Sequence, residues 1–177
     1  CQPFSIAGFQ KGFKDESSGN MFFEVLRFIK DLKPRAFLLE NVKNLLSHDN
    51  GHTIKIIEEH LKKEGYFFKY KVLNSCEYGN IPQNRERIYI VGFKYIEDYN
   101  LFDFPNALKL DKSILDIINI KEKVNEKYYY TKNKCYEELK KNILNSDTIY
   151  QWRRVYVREN KSKLCPTLTA NMGTGRT

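Results

Sequence analysis

The sequence lacks the features that mark membrane-spanning, secreted and zinc-binding proteins. It has no run of 18 apolar residues and no basic segment followed by an apolar leader, so we expect neither a membrane span nor secretion. Four cysteines, Cys1, Cys76, Cys135 and Cys165, stand far apart and form no C-x-x-C pair. This spacing indicates neither a zinc site nor a disulfide framework, and a reducing cytoplasm is the expected location.

Acidic residues are scarce in the last third of the chain. The 177 residues are 41% hydrophobic, enough for one domain with a real core or one domain with a small appendage. Residues 1–120 hold 17 lysines and arginines against 16 acidic residues, whereas residues 121–177 hold 13 against 6, a net charge of +7. This charge favours a polyanionic partner, although a solvated lysine-rich surface fits equally well. A first residue that is not methionine suggests a piece of a longer polypeptide.

Hydrophobic spacing in the first hundred residues predicts alternating helices and strands. Apolar residues recur at helical intervals over 21–32 and 54–61, and Pro34 and Gly65 follow the expected helix ends. Strands are predicted at 36–40, 66–73 and 88–93. The unbroken apolar run that opens the first strand is typical of a strand buried on both faces of a parallel sheet. This order of elements predicts an α/β fold.

The pattern changes beyond residue 100. Phe104 and Pro105 indicate a linker, and a short helix is predicted over 110–120. Weak helical periodicity covers 136–144, and strands are predicted over 151–157 and 165–170. We therefore expect a partial catalytic α/β domain over 1–100, followed over 101–177 by a linker and a small, mostly β unit.

Polar residues follow the first predicted strand. Glu40 and Asn41 lie where open α/β sheets bind ligands, beyond the carboxyl end of a strand. A carboxyl group that lies between the protein interior and such a ligand-binding crevice is well placed to act as a proton donor. From position alone, however, a capping role for Glu40 or an ion pair with Lys43 is the favoured interpretation.

Two further groups are candidates for chemistry. Cys1 is a potential nucleophile if its thiolate is stabilised. Arg85 and Arg87 lie at the entrance to the strand predicted at 88–93 with their side chains on one face, because residues two apart in a strand share a face. Such a pair could stabilise a thiolate, clamp a phosphate or fix a carboxylate, and a structural ion pair is the alternative.

Three motifs thus occur in a fixed order along the chain. Cys-Gln-Pro-Phe-Ser opens it, Glu-Asn-Val follows the first strand, and Gln-Asn-Arg-Glu-Arg leads into the strand predicted at 88–93. In this order they resemble the central part of the DNA (cytosine-5)-methyltransferases of bacterial restriction–modification systems, over nearly all of residues 1–93. The resemblance implies part of a doubly wound, Rossmann-like methyltransferase sheet, followed by a small, mostly β target-recognition domain.

The resemblance implies catalytic roles for four residues. Cys1 matches the nucleophile that attacks C6 of the target cytosine, and Glu40 matches the glutamate that delivers a proton to ring N3, which displaces the capping interpretation. Arg85 and Arg87 match the arginines that bind the O2 side of the base and nearby phosphate. The implied supporting residues are Gln2, Asn41, Val42 and Gln83. The base must leave the duplex, because a stacked cytosine hides C6.

The methyl donor implied by the resemblance is S-adenosylmethionine. In such enzymes its pocket is built largely from segments that precede the catalytic cysteine, so only a fringe around Asn20 and Met21 is expected in this chain. We expect the 177-residue chain by itself to bind this cofactor poorly and to be inactive.

The last third resembles part of a target-recognition domain. Gln151 lies where the family places a residue that enters the hole left by the flipped base, and Thr167 and Leu168 match a Thr-Leu pair. Arginine reads guanine O6 and N7 with two hydrogen bonds, which makes Arg153 and Arg154 candidates for guanine or phosphate contacts. The full set of expected DNA-binding residues is Ser5, Gln151, Arg153, Arg154, Thr167 and Leu168.

Two hypotheses of different classes follow. In the first, the chain belongs to an enzyme that methylates double-stranded DNA as a monomer, without a membrane, in the bacterial cytoplasm and near the nucleoid. In the second, it is a catalytically silent DNA-binding fragment of such an enzyme. His48 and His52 have the spacing of a metal pair, but no third ligand accompanies them and we expect no metal.

Overall fold

Helices and strands alternate along the first hundred residues of the structure, a computed structural model that describes residues 21–119, 121–153 and 155–168. The helices are α1 (Met21–Leu32), α2 (His52–Lys63), α3 (Ser75–Tyr78), α4 (Ile96–Leu101) and α5 (Tyr136–Asn142). The strands are β1 (Ala36–Val42), β2 (Phe67–Asn74), β3 (Gln83–Asn84), β4 (Glu86–Phe93), β5 (Tyr150–Arg153), β6 (Tyr156–Glu159) and β7 (Cys165–Pro166). No helix in the described part of the chain is long and apolar enough to cross a membrane.

The described residues form two compact units. The first consists of residues 21–73 and 86–106, and the second of residues 74–85 together with the described residues from 107 to 168. A segment between two strands of the first unit thus belongs to the second. The domain division expected at residue 100 stays a prediction.

The two helices predicted in the first unit are confirmed. α1 ends two residues before Pro34, and α2 covers the apolar residues of 54–61. Gly65 follows α2 in the left-handed region at φ 80°, and its N–H donates to the Lys62 carbonyl at 2.9 Å. This geometry confirms Gly65 as the C-terminal cap, a position at which glycine avoids the steric cost of a Cβ atom.

The first unit contains a three-stranded sheet with β4 between β1 and β2. The expectation that β1 is buried on both faces in a parallel arrangement was wrong. β1 runs antiparallel to β4, and Leu38 on one face is 63% exposed. On the other face Phe37 and Leu39 pack against the core, because alternate side chains of a strand point to opposite sides.

The core of the first unit lies between that face of the sheet and helices α1 and α2. Its buried members are Ile29, Leu45, Ile54, Ile57, Leu61, Tyr66, Ile88 and Ile90. The Tyr66 hydroxyl donates to the Pro34 carbonyl at 2.8 Å, and burial raises the pKa of this hydroxyl. The Phe37 ring lies over Gly92, where a Cβ atom would collide with it.

Helix α4 was not predicted from the sequence. It is a short helix with no buried residue, so it has little of the hydrophobic periodicity that marks a helix in a sequence. Asp98 in α4 accepts two hydrogen bonds from the Arg35 guanidinium, both 2.8 Å long. These contacts hold the pKa of Asp98 below its ordinary value and tie α4 to the start of β1.

The second unit is built from short elements. Residues 151–157 do not form one strand as expected, because the chain reverses between β5 and β6, which pair as an antiparallel hairpin with Trp152 opposite Val157. The helix expected over 110–120 was also wrong, since its described residues form one 3-10 turn, Ile114–Asp116, capped by Ser113. Helix α5 agrees with the periodicity of 136–144.

Candidate active site

Glu40 and Arg87 lie on adjacent strands of the first unit. The antiparallel register places Glu40 opposite Tyr89 and Val42 opposite Arg87, so the acid and the arginine are diagonal neighbours on the same face of the sheet. Arg87 Nε is 3.0 Å from Glu40 Oε1. The Nε–H of Arg87 makes no aligned hydrogen bond within the described part of the chain, so its contact with Glu40 is an ion pair. This face is opposite to the one that packs on α1 and α2.

Burial differs between the two partners of this ion pair. The Arg87 side chain is 14% exposed and the Glu40 side chain 38% exposed. Arg87 is further fixed by a hydrogen bond of 2.8 Å from Nη1 to the Glu86 carbonyl. The arginine is therefore a mostly buried, fixed charge, and the carboxylate lies closer to solvent, where a ligand can reach it.

Lys43 does not take the place of Arg87 beside Glu40. Its Nζ atom lies 2.7 Å from Glu86 Oε1, so the suggested pairing of Lys43 with Glu40 was wrong. Next to Glu40, the Asn41 side-chain oxygen accepts the N–H of Val42 at 2.8 Å. This bond restrains the backbone that follows the glutamate, and the supporting role expected for both residues stays a prediction.

The segment from Gln83 to Arg85 lies in the second unit. β3 pairs in parallel with β7, so that Gln83 is opposite Cys165, and Gln83 Nε2 donates to the Pro166 carbonyl at 3.2 Å. Thr167 Oγ1 donates to the Asn84 carbonyl at 2.8 Å. The structure thus brings together two motifs that are about eighty residues apart in the sequence.

Asn74 contacts this segment, although no role at the site was predicted for it. Its side-chain oxygen accepts the N–H of Arg85 at 2.9 Å, and its side-chain nitrogen donates to Asn84 Oδ1 at 2.8 Å. The N–H of Ser75 donates to the Arg85 carbonyl at 3.1 Å. An asparagine at the end of a predicted strand is the available signal, but its partners are eleven residues further along and no local pattern reveals them.

The hairpin of β5 and β6 contains two of the residues expected to bind DNA, Gln151 and Arg153. Arg153 and Arg158 are exposed, as are Val155 and Tyr156 next to the turn. Gln151 is only 9% exposed, and its buried Oε1 atom has no hydrogen-bond partner among the residues that the structure describes. The hairpin therefore presents positive charge and apolar surface outward and keeps the glutamine inside.

Several expected site residues lie outside the described residues: Cys1, Gln2, Ser5, Asn20 and Arg154. Met21, the first described residue, begins α1 with its side chain 57% exposed. Leu168 is exposed and Thr167 half-buried. Within the described ranges, no group of three or more His, Cys, Asp or Glu side chains could hold a metal ion.

Comparison with known proteins identifies the family. Residues 1–176 match the family described as C-5 cytosine-specific DNA methylase. The chain is 58% identical over 177 residues to the type II methyltransferase M.Bsp6I of Bacillus sp. (strain RFL6). The aligned region covers 99% of this chain and 56% of that relative. It is 45% identical over 148 residues to the type II methyltransferase M.HaeII of Haemophilus aegyptius, covering 84% of this chain and 43% of the relative.

The chain therefore belongs to the C-5 cytosine-specific DNA methylase family, and it spans about half the length of these curated relatives. Among solved structures, the Dnmt2 methyltransferase of S. pombe has a TM-score of 0.50 at 22% sequence identity, over 78% of this chain and 44% of that one. This likeness confirms the predicted methyltransferase α/β fold. The predicted family is confirmed as well.

Proposed function

We propose that this protein transfers a methyl group from S-adenosylmethionine to C5 of a cytosine in a specific duplex DNA sequence. The observation that carries the proposal is the Glu40–Arg87 ion pair at 3.0 Å, in a chain whose residues 1–176 match the cytosine-specific methylase family. The ion pair fixes the Glu40 carboxyl group on the edge strand β1, with one side of the carboxyl group toward solvent. A proton donor for a bound base needs such an orientation.

The proposed reaction is covalent catalysis by Cys1. Its thiolate adds to C6 of the cytosine, Glu40 supplies the proton taken up by ring N3, and C5 becomes a nucleophilic enamine carbon. When bound, S-adenosylmethionine supplies the electrophilic methyl group. Loss of the C5 proton to a base, expulsion of the Cys1 thiolate and return of the N3 proton to Glu40 then restore the ring. The cytosine leaves the duplex first, since the stack hides C6.

The described residues are compatible with a fringe of the cofactor site. Met21 presents an exposed side chain at the start of α1, and a side chain at a helix start can contact a bound ligand. We propose that Met21 and Asn20 contribute this fringe and that most of the site lies outside this chain.

DNA recognition is assigned to the second unit. Arg153 at the hairpin is proposed to contact phosphate or guanine, with Arg154 beside it and Ser5, Thr167 and Leu168 also at the DNA. For Gln151 to enter the hole left by the flipped base, its side chain must leave the interior. The absence of a hydrogen bond to its buried Oε1 atom lowers the cost of that movement.

The proposed activity also implies a cellular location, an oligomeric state and a division of the chain into parts. We propose a restriction–modification enzyme of the bacterial cytoplasm, associated with the nucleoid and monomeric on DNA. Residues 1–100 would form the catalytic part and residues 101–177 the linker and recognition part. The second candidate, a catalytically silent DNA-binding fragment, is favoured by the net charge of +7 over residues 121–177.

Trapping with 5-fluorocytosine tests the proposed function. A duplex with this base at candidate sites is incubated with S-adenosylmethionine and the protein in its longest available form. Because C5 then carries fluorine, no proton can be lost and the enzyme stays attached to C6. We expect a covalent adduct that Cys1→Ser abolishes. The absence of an adduct, with salt-sensitive DNA binding retained, would instead support the silent fragment.

A further inference from the structure

The Asn74 side chain contacts two consecutive residues of the Gln-Asn-Arg motif. It ends β2 in an extended conformation, immediately before the helical turn α3. Its Oδ1 atom accepts the Arg85 N–H at 2.9 Å, and its Nδ2 atom donates to Asn84 Oδ1 at 2.8 Å. Both ends of one amide group are therefore used on this segment.

The backbone of this segment is held from two sides. Ser75 N–H donates to the Arg85 carbonyl at 3.1 Å, so the N–H and the carbonyl of Arg85 are bound by neighbouring residues of the chain. From the other side, Thr167 Oγ1 donates to the Asn84 carbonyl at 2.8 Å. Restraint of successive peptide groups fixes the direction in which the Arg85 side chain leaves the backbone.

No comparable restraint holds the Arg85 side chain within the described residues. It is half-buried, and its guanidinium forms no hydrogen bond or ion pair with another residue in the described part of the chain. A long side chain without a partner takes its direction from its Cα–Cβ bond and nearby packing. The position of this guanidinium in the free protein is therefore set mainly by the backbone that Asn74 holds.

We infer that Asn74 is a positioning residue that orients Arg85 toward the target nucleotide. The inference rests on the proposed function, in which Arg85 contacts the cytosine or a nearby phosphate. Asn74 does not itself touch the DNA. Its loss lets the Asn84–Arg85 backbone move and reduces the fraction of molecules with Arg85 in the productive orientation.

The test compares Asn74→Ala and Asn74→Asp in the longest available form of the protein. Alanine removes both hydrogen bonds, whereas aspartate keeps the acceptor for the Arg85 N–H and can accept from a rotated Asn84 amide. We expect Asn74→Ala to slow adduct formation on the 5-fluorocytosine duplex and lower kcat at least tenfold, with KM for DNA changed by less than twofold. Asn74→Asp should recover most of the rate.

Asp111→Ala is the matched control. In the same unit, Asp111 Oδ1 accepts a hydrogen bond from Asn80 Nδ2, so Asp111→Ala removes a side-chain hydrogen bond to an asparagine without touching Asn84 or Arg85. We expect its kcat to equal that of the unmodified protein. Adduct formation by Asn74→Ala at the unmodified rate, or equal loss of kcat in Asn74→Ala and Asp111→Ala, would overturn the inference.

A failure of the proposed function would look different. The unmodified protein itself would then form no adduct, and the positioning claim would be decided by amide hydrogen exchange in the DNA-free protein. There Asn74→Ala should raise the exchange rate of the Arg85 N–H at least tenfold over that in Asp111→Ala. An unchanged exchange rate would rule out the restraint.

Discussion

Breaking the Glu40–Arg87 ion pair should cost more stability when the carboxylate is removed than when the guanidinium is removed. The Arg87 side chain is 14% exposed and the Glu40 side chain 38% exposed. Glu40→Gln therefore leaves an unpaired charge largely buried, whereas Arg87→Met leaves a carboxylate that water can solvate. The penalty for an uncompensated charge grows with its burial.

The two costs follow from what each variant leaves behind. Loss of one partner of a fully buried pair costs about 3–5 kcal/mol. In Glu40→Gln the guanidinium keeps its 2.8 Å bond from Nη1 to the Glu86 carbonyl, so we expect about 2 kcal/mol. In Arg87→Met the apolar stem is retained and the carboxylate left behind is 38% exposed, so water solvates it and the expected cost is about 1 kcal/mol or less.

Urea unfolding of the two variants and of the double variant measures the asymmetry. With a slope of about 2 kcal/mol per M, Glu40→Gln should lower the midpoint by about 1 M and Arg87→Met by about 0.5 M. The double variant should be less destabilised than the sum of the single variants. If Arg87→Met lowers the midpoint as much as Glu40→Gln, burial does not decide the cost and the reasoning is refuted.

Four further predictions concern the core, pH, DNA binding and the cofactor. Leu61→Ala, at a fully buried position, should lower the free energy of unfolding in urea by about 2–5 kcal/mol. Leu38→Ala, at an exposed position, should lower it by less than about 1 kcal/mol. Equal losses would contradict the assigned core. Arg35 lowers the pKa of Asp98 in the folded protein. The ion pair therefore stabilises the fold fully above the unfolded-state pKa of 3.8, and this stabilisation is lost as the pH falls through the folded-state pKa. Asp98→Asn should therefore flatten the loss of stability in that acid range, and an unchanged pH profile would count against the pair. Arg153→Gln should weaken DNA binding and reduce the slope of log K against log salt by about 1 in fluorescence anisotropy, and an unaltered slope would exclude a phosphate contact. The 177-residue chain by itself should bind S-adenosylmethionine very poorly, and micromolar binding by calorimetry would show that prediction to be wrong.

Local pattern in the sequence was sufficient for the larger elements of the first unit. Helix α1 and strand β4 carry strong periodic or continuous apolar character, and their bounds lie close to those predicted. Where a segment is short or held by polar contacts, the pattern was insufficient. Helix α4 depends on the bond between Asp98 and Arg35, which are 63 residues apart, and the hairpin of β5 and β6 depends on a turn inside an apparently continuous run.

The motifs in the sequence indicated the family and its candidate residues, but not how those residues contact one another. Glu40 and Arg87 were identified as candidates, yet from position alone Lys43 was the named partner for the glutamate. Strand register decides this choice, because a shift by one residue would put Arg87 on the other face of the sheet.

The sequence by itself determined the α/β class, the main helices and strands, and the family, because each depends on local periodicity or on the order of short motifs. Only the tertiary structure decided that Arg87 rather than Lys43 faces Glu40, that β7 lies against Gln83, and that Asn74 holds the Arg85 backbone. These contacts join residues that are distant in the chain. They form only when strand register and loop closure bring the residues together, and no local pattern of the sequence contains that information.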